Sequence, residues 1–149
     1  MKILIIHGPN LNLLSKRDSS IYGKESLEQI NQLIKSKSIE LKIDIDFFQS
    51  NHEGEIIDKI QKTMDLDYTG IIINPAAFTH YSIGIRDAIE ILEIPVIEVH
   101  LSNIYGREDF RTKSIIAPVC KGQICGLGYV GYLIALDALK LLNKQRNGG

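Results

Sequence analysis

The sequence predicts one α/β domain with a central parallel sheet, and two observations support that prediction. Short apolar runs recur along the chain, and amphipathic helical patterns alternate with them. The runs at 3–6 and 71–73 consist of Ile and Leu without interruption, which is typical of strands covered by helices on both faces. A length of 149 residues fits one domain with an adequate core. We therefore expect a single domain over 1–149.

The strands and helices follow one another in order along the chain. We predict strands at 3–6, 43–48, 71–73 and 96–99, and a fifth within 114–124. The first long helix is expected to begin at a capping box of Ser26 and Gln29. Further helical patterns cover about 53–64, 81–92 and 128–145. Because such alternation implies right-handed crossovers, the expected fold is a flavodoxin-like three-layer domain: α/β, with a five-stranded parallel sheet and helices on both faces.

One predicted connection is much longer than the others. Residues 8–25 form a polar stretch with several Gly, Pro and Ser residues. A loop of that length in a compact domain is usually functional, so we expect it to form a lid over an active site.

Composition and charge exclude several classes of protein. The formal net charge is −1, with basic and acidic residues interleaved, so no basic face for nucleic acid is expected. The two cysteines, Cys120 and Cys125, are too few for a disulfide framework and favour a reducing compartment. The first apolar run has only four residues, which is short for a secretory segment or a membrane span. We therefore expect a cytoplasmic protein without a membrane or nucleic-acid partner.

Polar side chains follow each of the first four predicted strands. Ligands of open α/β sheets bind beyond the carboxyl ends of the strands, so these side chains are expected to meet along one edge. They are His7, Asn10 and Asn12 after the first strand, Asn51, His52 and Glu53 after the second, Asn74, Thr79 and His80 after the third, and His100, Ser102 and Asn103 after the fourth.

Each candidate taken alone also has an ordinary structural explanation. A turn or a helix cap explains Asn51 or Asn74 equally well. His100 fits a satisfied buried histidine, Tyr22 a packed loop tyrosine, and Asp87 a solvated charge on a helix. A purely structural requirement would not concentrate amides and imidazoles at one end of every strand, so their coincidence favours a functional site.

Three arginines add the capacity to bind an anion. Arg17 lies in the long polar stretch, while Arg107 and Arg111 are four residues apart, which places both on one side of a helical turn. A guanidinium pairs with a carboxylate in a two-pronged geometry, so Arg107 or Arg111 would suit an acidic substrate. A surface ion pair with Glu108 or Asp109 explains the spacing equally well.

Motifs for cofactors and metals find little support. Gly126, Gly128 and Gly131 spell G-x-G-x-x-G, but a dinucleotide-binding turn should open the first βαβ unit. These glycines are expected to permit close packing at a helix start. No His or Cys pair has metal-ligand spacing, and the lysines lie at element ends or on polar faces, which disfavours a Schiff base. We expect neither a cofactor nor a metal.

Four long blocks of the sequence resemble type II 3-dehydroquinate dehydratase. They are HGPNLNLLSKRDSSIYG at 7–23, FQSNHEGEIID at 48–58, INPAAFTHYSIGIRDA at 73–88 and EVHLSNIYGREDFR at 98–111, and the segment 122–136 is also similar. The resemblance implies cofactor-free conversion of 3-dehydroquinate to 3-dehydroshikimate by anti elimination through an enolate. This reaction belongs to the shikimate pathway of aromatic amino-acid biosynthesis or to quinate breakdown. A homododecamer built from trimers is implied as well.

The resemblance also implies a role for each site residue. Tyr22 matches the proton acceptor, and Arg17 matches the cation that favours its ionisation and stabilises the transition state. His100 matches the proton donor, and Glu98 on the same face of the strand would hold the imidazole in its charged form. Asn10 would fix a water that hydrogen-bonds the enolate oxygen. The positions matching substrate contacts are Asn74, His80, Asp87, Leu101, Ser102 and Arg111, with Arg107 supporting the same pocket and Asp87 expected to reach a neighbour's site.

A few residues depart from the family's pattern. Ser15 and Ala76 stand where Gly is frequent, so strain is expected if either position needs a positive φ. Tyr105 and Gly106 also differ from the residues expected before Arg107. The alternative interpretation is a non-catalytic flavodoxin-like binding or signalling module. A receiver module would need an acidic cluster after the first strand, and the residues there contain none.

Overall fold

The strands form one parallel sheet, as the sequence predicts. A computed structural model describes residues 1–148. The strands are β1 (Lys2–His7), β2 (Asp44–Gln49), β3 (Gly70–Asn74), β4 (Val96–His100) and β5 (Gly122–Cys125). They lie in the order β2-β1-β3-β4-β5, and every neighbouring pair is parallel. The predicted fold class is therefore confirmed, with β5 at the end of its predicted region.

The helices connect the strands at the predicted places. They are α1 (Ser19–Tyr22), α2 (Leu27–Leu41), α3 (Glu53–Lys62), α4 (Ile83–Glu90) and α5 (Val130–Gly148). The expected capping box is present, because the Ser26 hydroxyl accepts from the Gln29 backbone at 3.2 Å and the Gln29 side chain accepts from the Ser26 backbone at 2.9 Å. The start of α4 is two residues later than predicted, because Ser82 caps the helix by accepting from the Ile85 backbone at 3.1 Å. Within 1–148, no helix combines the length and apolar character that a bilayer crossing requires.

Alternate residues of β1 pack into two apolar layers. Ile3 and Ile5 belong to the layer shared with α2 and α5, whereas Leu4 and Ile6 belong to the layer shared with α3 and α4. This period of two follows from the pleat of a strand. His7 continues the face of Ile3 and Ile5, so its ring lies between α2 and α5.

The segment 8–25, expected to be a loop, contains two short helices. It contains a 3₁₀ helix at Leu11–Lys16, followed by α1. Leu11 and Leu14 are buried in the α2 and α5 layer and anchor the segment. Asp18 caps α1 by accepting from the Ser20 backbone at 2.9 Å. Local polarity was misleading because two leucines three residues apart suffice to attach a turn of helix to the core.

Candidate active site

A cleft opens at the carboxyl edge of the sheet, beside the connections that follow β1, β3 and β4. From β1 the chain leads to β2 on one side and then returns to β3 on the other, which creates the switch point where ligands bind in such sheets. Of the predicted site residues, the cleft is lined by Asn10, Arg17, Tyr22, Asn74, His80, His100, Leu101, Ser102, Arg107 and Arg111. The polar ends of three strands therefore converge on the cleft, whereas the expected side chains after β2, which are Asn51, His52 and Glu53, do not line it.

Two guanidinium groups converge on Tyr22. Arg17 donates to the phenolic oxygen at 2.6 Å, and Arg107 donates to the same oxygen at 2.8 Å. The Cζ atom of Arg17 also lies 3.8 Å from the centroid of the Tyr22 ring. Both hydrogen bonds place positive charge against one oxygen, so the arrangement is matched to negative charge on that oxygen. The Nε of Arg107 is the single buried side-chain polar atom of 1–148 that lacks a hydrogen-bond partner.

His100 is held by a buried carboxylate. Its Nε2 lies 2.7 Å from Oε1 of Glu98, and the Glu98 side chain is fully buried. Burial alone would raise the pKa of Glu98, but the hydrogen bond and charge of His100, together with hydroxyl donors, outweigh burial and lower that pKa. Glu98 is therefore ionised near neutral pH and fixes the imidazole ring. With Nε2 engaged, Nδ1 is the ring nitrogen left for a ligand.

Three further donors complete the surroundings of Glu98. Thr79 donates to it, Ser114 donates at 3.0 Å, and Gln123 donates from its amide at 2.9 Å. Tyr105, one of the residues that depart from the family's pattern, donates to the Gln123 carbonyl oxygen at 2.5 Å. This bond orients the Gln123 amide with its nitrogen towards Glu98. Tyr105 thus supports the carboxylate indirectly.

Asn74 combines the two explanations that the sequence left open. Its side-chain oxygen accepts from the Ala76 backbone at 3.1 Å and closes a turn, while the residue also lines the cleft. Ala76 has a φ of 50°, so strain is present there, whereas Ser15 does not have a positive φ. Strain of this kind costs about 1–3 kcal/mol. A Cβ on Gly8 would lie 2.6 Å from the Pro75 carbonyl oxygen, so only glycine allows this close approach.

The remaining predicted residues occupy different environments. Arg111 donates to Glu108 at 2.6 Å, so the ion pair considered from sequence forms while Arg111 also lines the cleft. The Nδ1 of His80 lies 2.8 Å from the Lys113 carbonyl oxygen and donates to it, which leaves Nε2 for a ligand in the cleft. Asp87 is exposed on α4 and does not line the cleft of its own chain. Asn51 accepts from the Asn10 backbone at 3.0 Å and supports that turn.

Several residues of the site carried no chemical signal in the sequence. The cleft is also lined by Pro9, Leu11, Ala76, Ala77 and Ile104, which are small or apolar. Tyr132 supports the site from α5, where its position in an apolar helix made it look like an ordinary core residue. His7 was expected at the edge and instead lies fully buried behind the cleft.

The sequence G-x-G-x-x-G has a structural explanation. Gly126 and Gly128 have φ values of 86° and 56°, and a Cβ on Gly131 would lie 3.2 Å from Val99. These glycines permit turns and close packing at the start of α5, as expected. Among residues 1–148, no group of three or more His, Cys, Asp or Glu side chains is arranged to hold a metal ion.

The fold and the cleft together define a flavodoxin-like α/β protein with acid–base residues at the carboxyl edge of its sheet. Residues 1–140 match the family model described as Dehydroquinase class II. The chain belongs to this family, which confirms the resemblance found in its sequence blocks.

Individual relatives cover nearly the whole chain. A 3-dehydroquinate dehydratase of Caldicellulosiruptor saccharolyticus is 58% identical over 139 residues, which are 93% of this chain and 96% of the relative. The 3-dehydroquinate dehydratase of Halothermothrix orenii is 56% identical over 144 residues, covering 97% of each chain. The crystal structure of type II dehydroquinase from Butyrivibrio crossotus has a TM-score of 0.91 at 50% identity and covers 93% of this chain and 97% of that one.

Proposed function

We propose that this chain dehydrates 3-dehydroquinate to 3-dehydroshikimate by anti elimination through an enolate, without a cofactor, in the shikimate pathway. The observation that carries the proposal is the environment of Tyr22. Its oxygen accepts from both Arg17 and Arg107, in the same cleft as the His100 side chain held by Glu98. A base and an acid with separate charge partners are what an elimination of water requires.

In the first step, Tyr22 acts as a phenolate and removes a proton α to the ketone. The proton moves to the phenolic oxygen, and the electron pair of the C–H bond moves into the enolate. Arg17 and Arg107 are placed to keep negative charge on the phenolic oxygen before transfer. Asn10, which lines the cleft, fixes a water that donates to the enolate oxygen. Stabilisation of this kind is worth about 3–4 kcal/mol for one well-placed donor.

In the second step, His100 protonates the departing hydroxyl group. The enolate collapses, the C–O bond breaks, and water leaves with the proton from the imidazolium. Glu98 stabilises the charged imidazole before transfer and keeps the ring in place throughout. Return of the proton from Tyr22 to solvent and uptake of one by His100 restore the enzyme.

Recognition of the substrate carboxylate and hydroxyls falls to the remaining polar lining. We assign this role to Asn74, His80, Leu101, Ser102 and Arg111, which all line the cleft. Asp87 is exposed on α4, and we propose that it reaches the cleft of a neighbouring subunit in a homododecamer built from trimers. The free Cys120 and Cys125 support a location in the reducing cytoplasm.

The test of this function is to supply 3-dehydroquinate and to follow the ultraviolet absorbance of the conjugated enone product. We expect the absorbance to rise with enzyme concentration, and we expect Tyr22→Phe to lower kcat at least about 100-fold with little change in KM. Phenylalanine keeps the ring against Arg17 and removes only the oxygen. No absorbance gain in the unmodified enzyme would reject the dehydratase and favour a non-catalytic binding module.

A further inference from the structure

We propose that Tyr132 and His7, which lie behind the cleft, are positioning residues that fix the orientation of the Asn74 side-chain amide for binding substrate. This inference rests on the proposed dehydratase function. Neither Tyr132 nor His7 lines the cleft. Their hydrogen-bond connection to the cleft runs through Asn74, whose amide nitrogen donates to the Tyr132 oxygen at 3.1 Å.

Asn74, Tyr132, His7 and Asn31 form a series of hydrogen bonds. The direction of every bond in this series follows from one backbone group. The Ala76 N–H can only donate, so the Asn74 atom that it contacts must be the oxygen. The Asn74 nitrogen therefore faces Tyr132 and donates to the phenolic oxygen. The Tyr132 hydroxyl must then give its own proton to the next partner, which is Nδ1 of His7 at 2.9 Å.

The far end of the chain is consistent with this direction. Because Nδ1 of His7 accepts, the single proton of the neutral ring lies on Nε2, which donates to the Asn31 oxygen at 2.8 Å. Burial lowers the pKa of His7 to about 4, so the ring is neutral near neutral pH. The Phe47 ring lies nearly parallel to the His7 ring, with 6.2 Å between the two centroids. The result is a one-way series of donors from Asn74 to Asn31.

Burial makes the opposite orientation of the Asn74 amide unfavourable. Tyr132 is 1% exposed and Asn74 is 2% exposed, so bulk water cannot replace a missing partner. A flipped amide would set its nitrogen against the Ala76 N–H and would turn its carbonyl oxygen towards a Tyr132 oxygen whose proton is already donated to His7. In the observed orientation, the second N–H of Asn74 remains as a donor for a substrate oxygen. The Ala76 N–H and the hydrogen-bonded Tyr132 hydroxyl therefore act together to make Asn74 present a donor to the substrate.

The hydrogen bond between Asn74 and the Ala76 backbone also holds the shape of the cleft floor. Asn74 fixes the backbone of Ala76 at its positive φ of 50°, and both Ala76 and Ala77 line the cleft. Neither Tyr22 nor His100 is hydrogen-bonded to this chain of residues. Loss of these hydrogen bonds should therefore weaken substrate binding more than it slows the chemical steps.

The first test compares Tyr132→Phe with Tyr129→Phe in steady-state assays with 3-dehydroquinate. Tyr132→Phe keeps the buried ring and removes only the hydroxyl, so KM should rise about tenfold while kcat stays within about twofold. Tyr129 is partly buried against the same apolar layer and does not line the cleft, so Tyr129→Phe should leave both constants unchanged. A fall in kcat at unchanged KM would indicate lost active enzyme rather than positioning and would overturn the inference, as would two unchanged constants.

The second test uses His7, which remains informative if Tyr132→Phe does not fold. His7→Asn retains an acceptor near the position of Nδ1, whereas His7→Leu removes it and leaves the Tyr132 proton without a partner. KM should stay near the wild-type value in His7→Asn and rise about tenfold in His7→Leu. Equal KM values in the two variants would contradict the proposed direction of the hydrogen bonds.

A third measurement separates this inference from the proposed function. A double-mutant cycle of Tyr132→Phe and Asn74→Ala, followed by urea unfolding, does not depend on catalysis. We expect the unfolding constant of the double variant to differ by about tenfold from the product of the single effects. If wild-type protein lacks dehydratase activity, the proposed function fails, but coupling in this cycle would still support the linkage. Additive effects would reject the linkage itself.

Discussion

Acidification should destabilise this protein through the buried His7, at a higher pH than through Glu98. Burial lowers the pKa of His7 from 6.5 in the unfolded chain to about 4 in the folded protein. As pH falls below about 6.5, His7 binds a proton in the unfolded chain but stays neutral in the folded protein. The stability from neutral His7 is therefore complete above the unfolded pKa and is lost as pH falls towards the folded pKa.

The size of the effect follows from the two pKa values. A difference of about 2.5 pH units at 1.36 kcal/mol per unit gives about 3 kcal/mol between pH 6.5 and pH 4. Glu98 acts in a different window. Its folded pKa is lowered, so its contribution is present above its unfolded value of 4.5 and is lost only below that pH. Most of the stability lost over this pH interval is therefore due to His7.

The assay is urea unfolding of wild type and of His7→Asn, followed by circular dichroism at several pH values from about 7 to about 5 and at one protein concentration. Subtracting the free energy of unfolding of the variant from that of the wild type at each pH removes the contributions of the other histidines, because both proteins contain them. We expect wild type to lose about 2 kcal/mol more than His7→Asn over this range. Equal slopes in the two proteins would refute the argument that His7 is buried in its neutral form.

Three further predictions concern the cleft. Glu98→Gln removes the buried carboxylate that hydrogen-bonds His100 in the proposed mechanism, so kcat should fall by about 10- to 100-fold with KM nearly unchanged; wild-type turnover would contradict the role of the pair. Arg17→Ala removes one of two guanidinium donors from Tyr22 and should lower kcat by about 100-fold, whereas a change confined to KM would make Arg17 a binding residue only. Ala76→Gly should relieve the positive φ and raise the free energy of unfolding by about 0.5–1 kcal/mol in urea titrations. Ala138→Gly, inside α5, is the matched control, and its free energy of unfolding should fall by about 1 kcal/mol. If both variants lost stability, or both gained it, the argument that Ala76 is strained would be refuted.

Local patterns predicted most of the fold because strand and helix formation here depends on near neighbours. The apolar runs of β1 and β3 are buried throughout, and the capping box at Ser26 and Gln29 forms as expected. The convergence of polar residues was also predictable, since parallel strands bring their carboxyl ends to one edge. The segment 8–25 was predicted less well because Leu11 and Leu14 become core residues only once α2 and α5 are in place.

The residue types and their order are enough to establish which chemical groups stand at the ends of the strands: the phenol, the imidazole, the amides and the guanidinium groups. The pairing of these groups depends on how distant parts of the chain pack together. Arg107 and Tyr22 are 85 residues apart, Asn74 and Tyr132 are 58 apart, and His7 and Tyr132 are 125 apart. No local periodicity encodes such separations, because each contact depends on how the helices pack across the sheet. The direction of donors behind Asn74 arises only there, from one backbone N–H that has no choice but to donate.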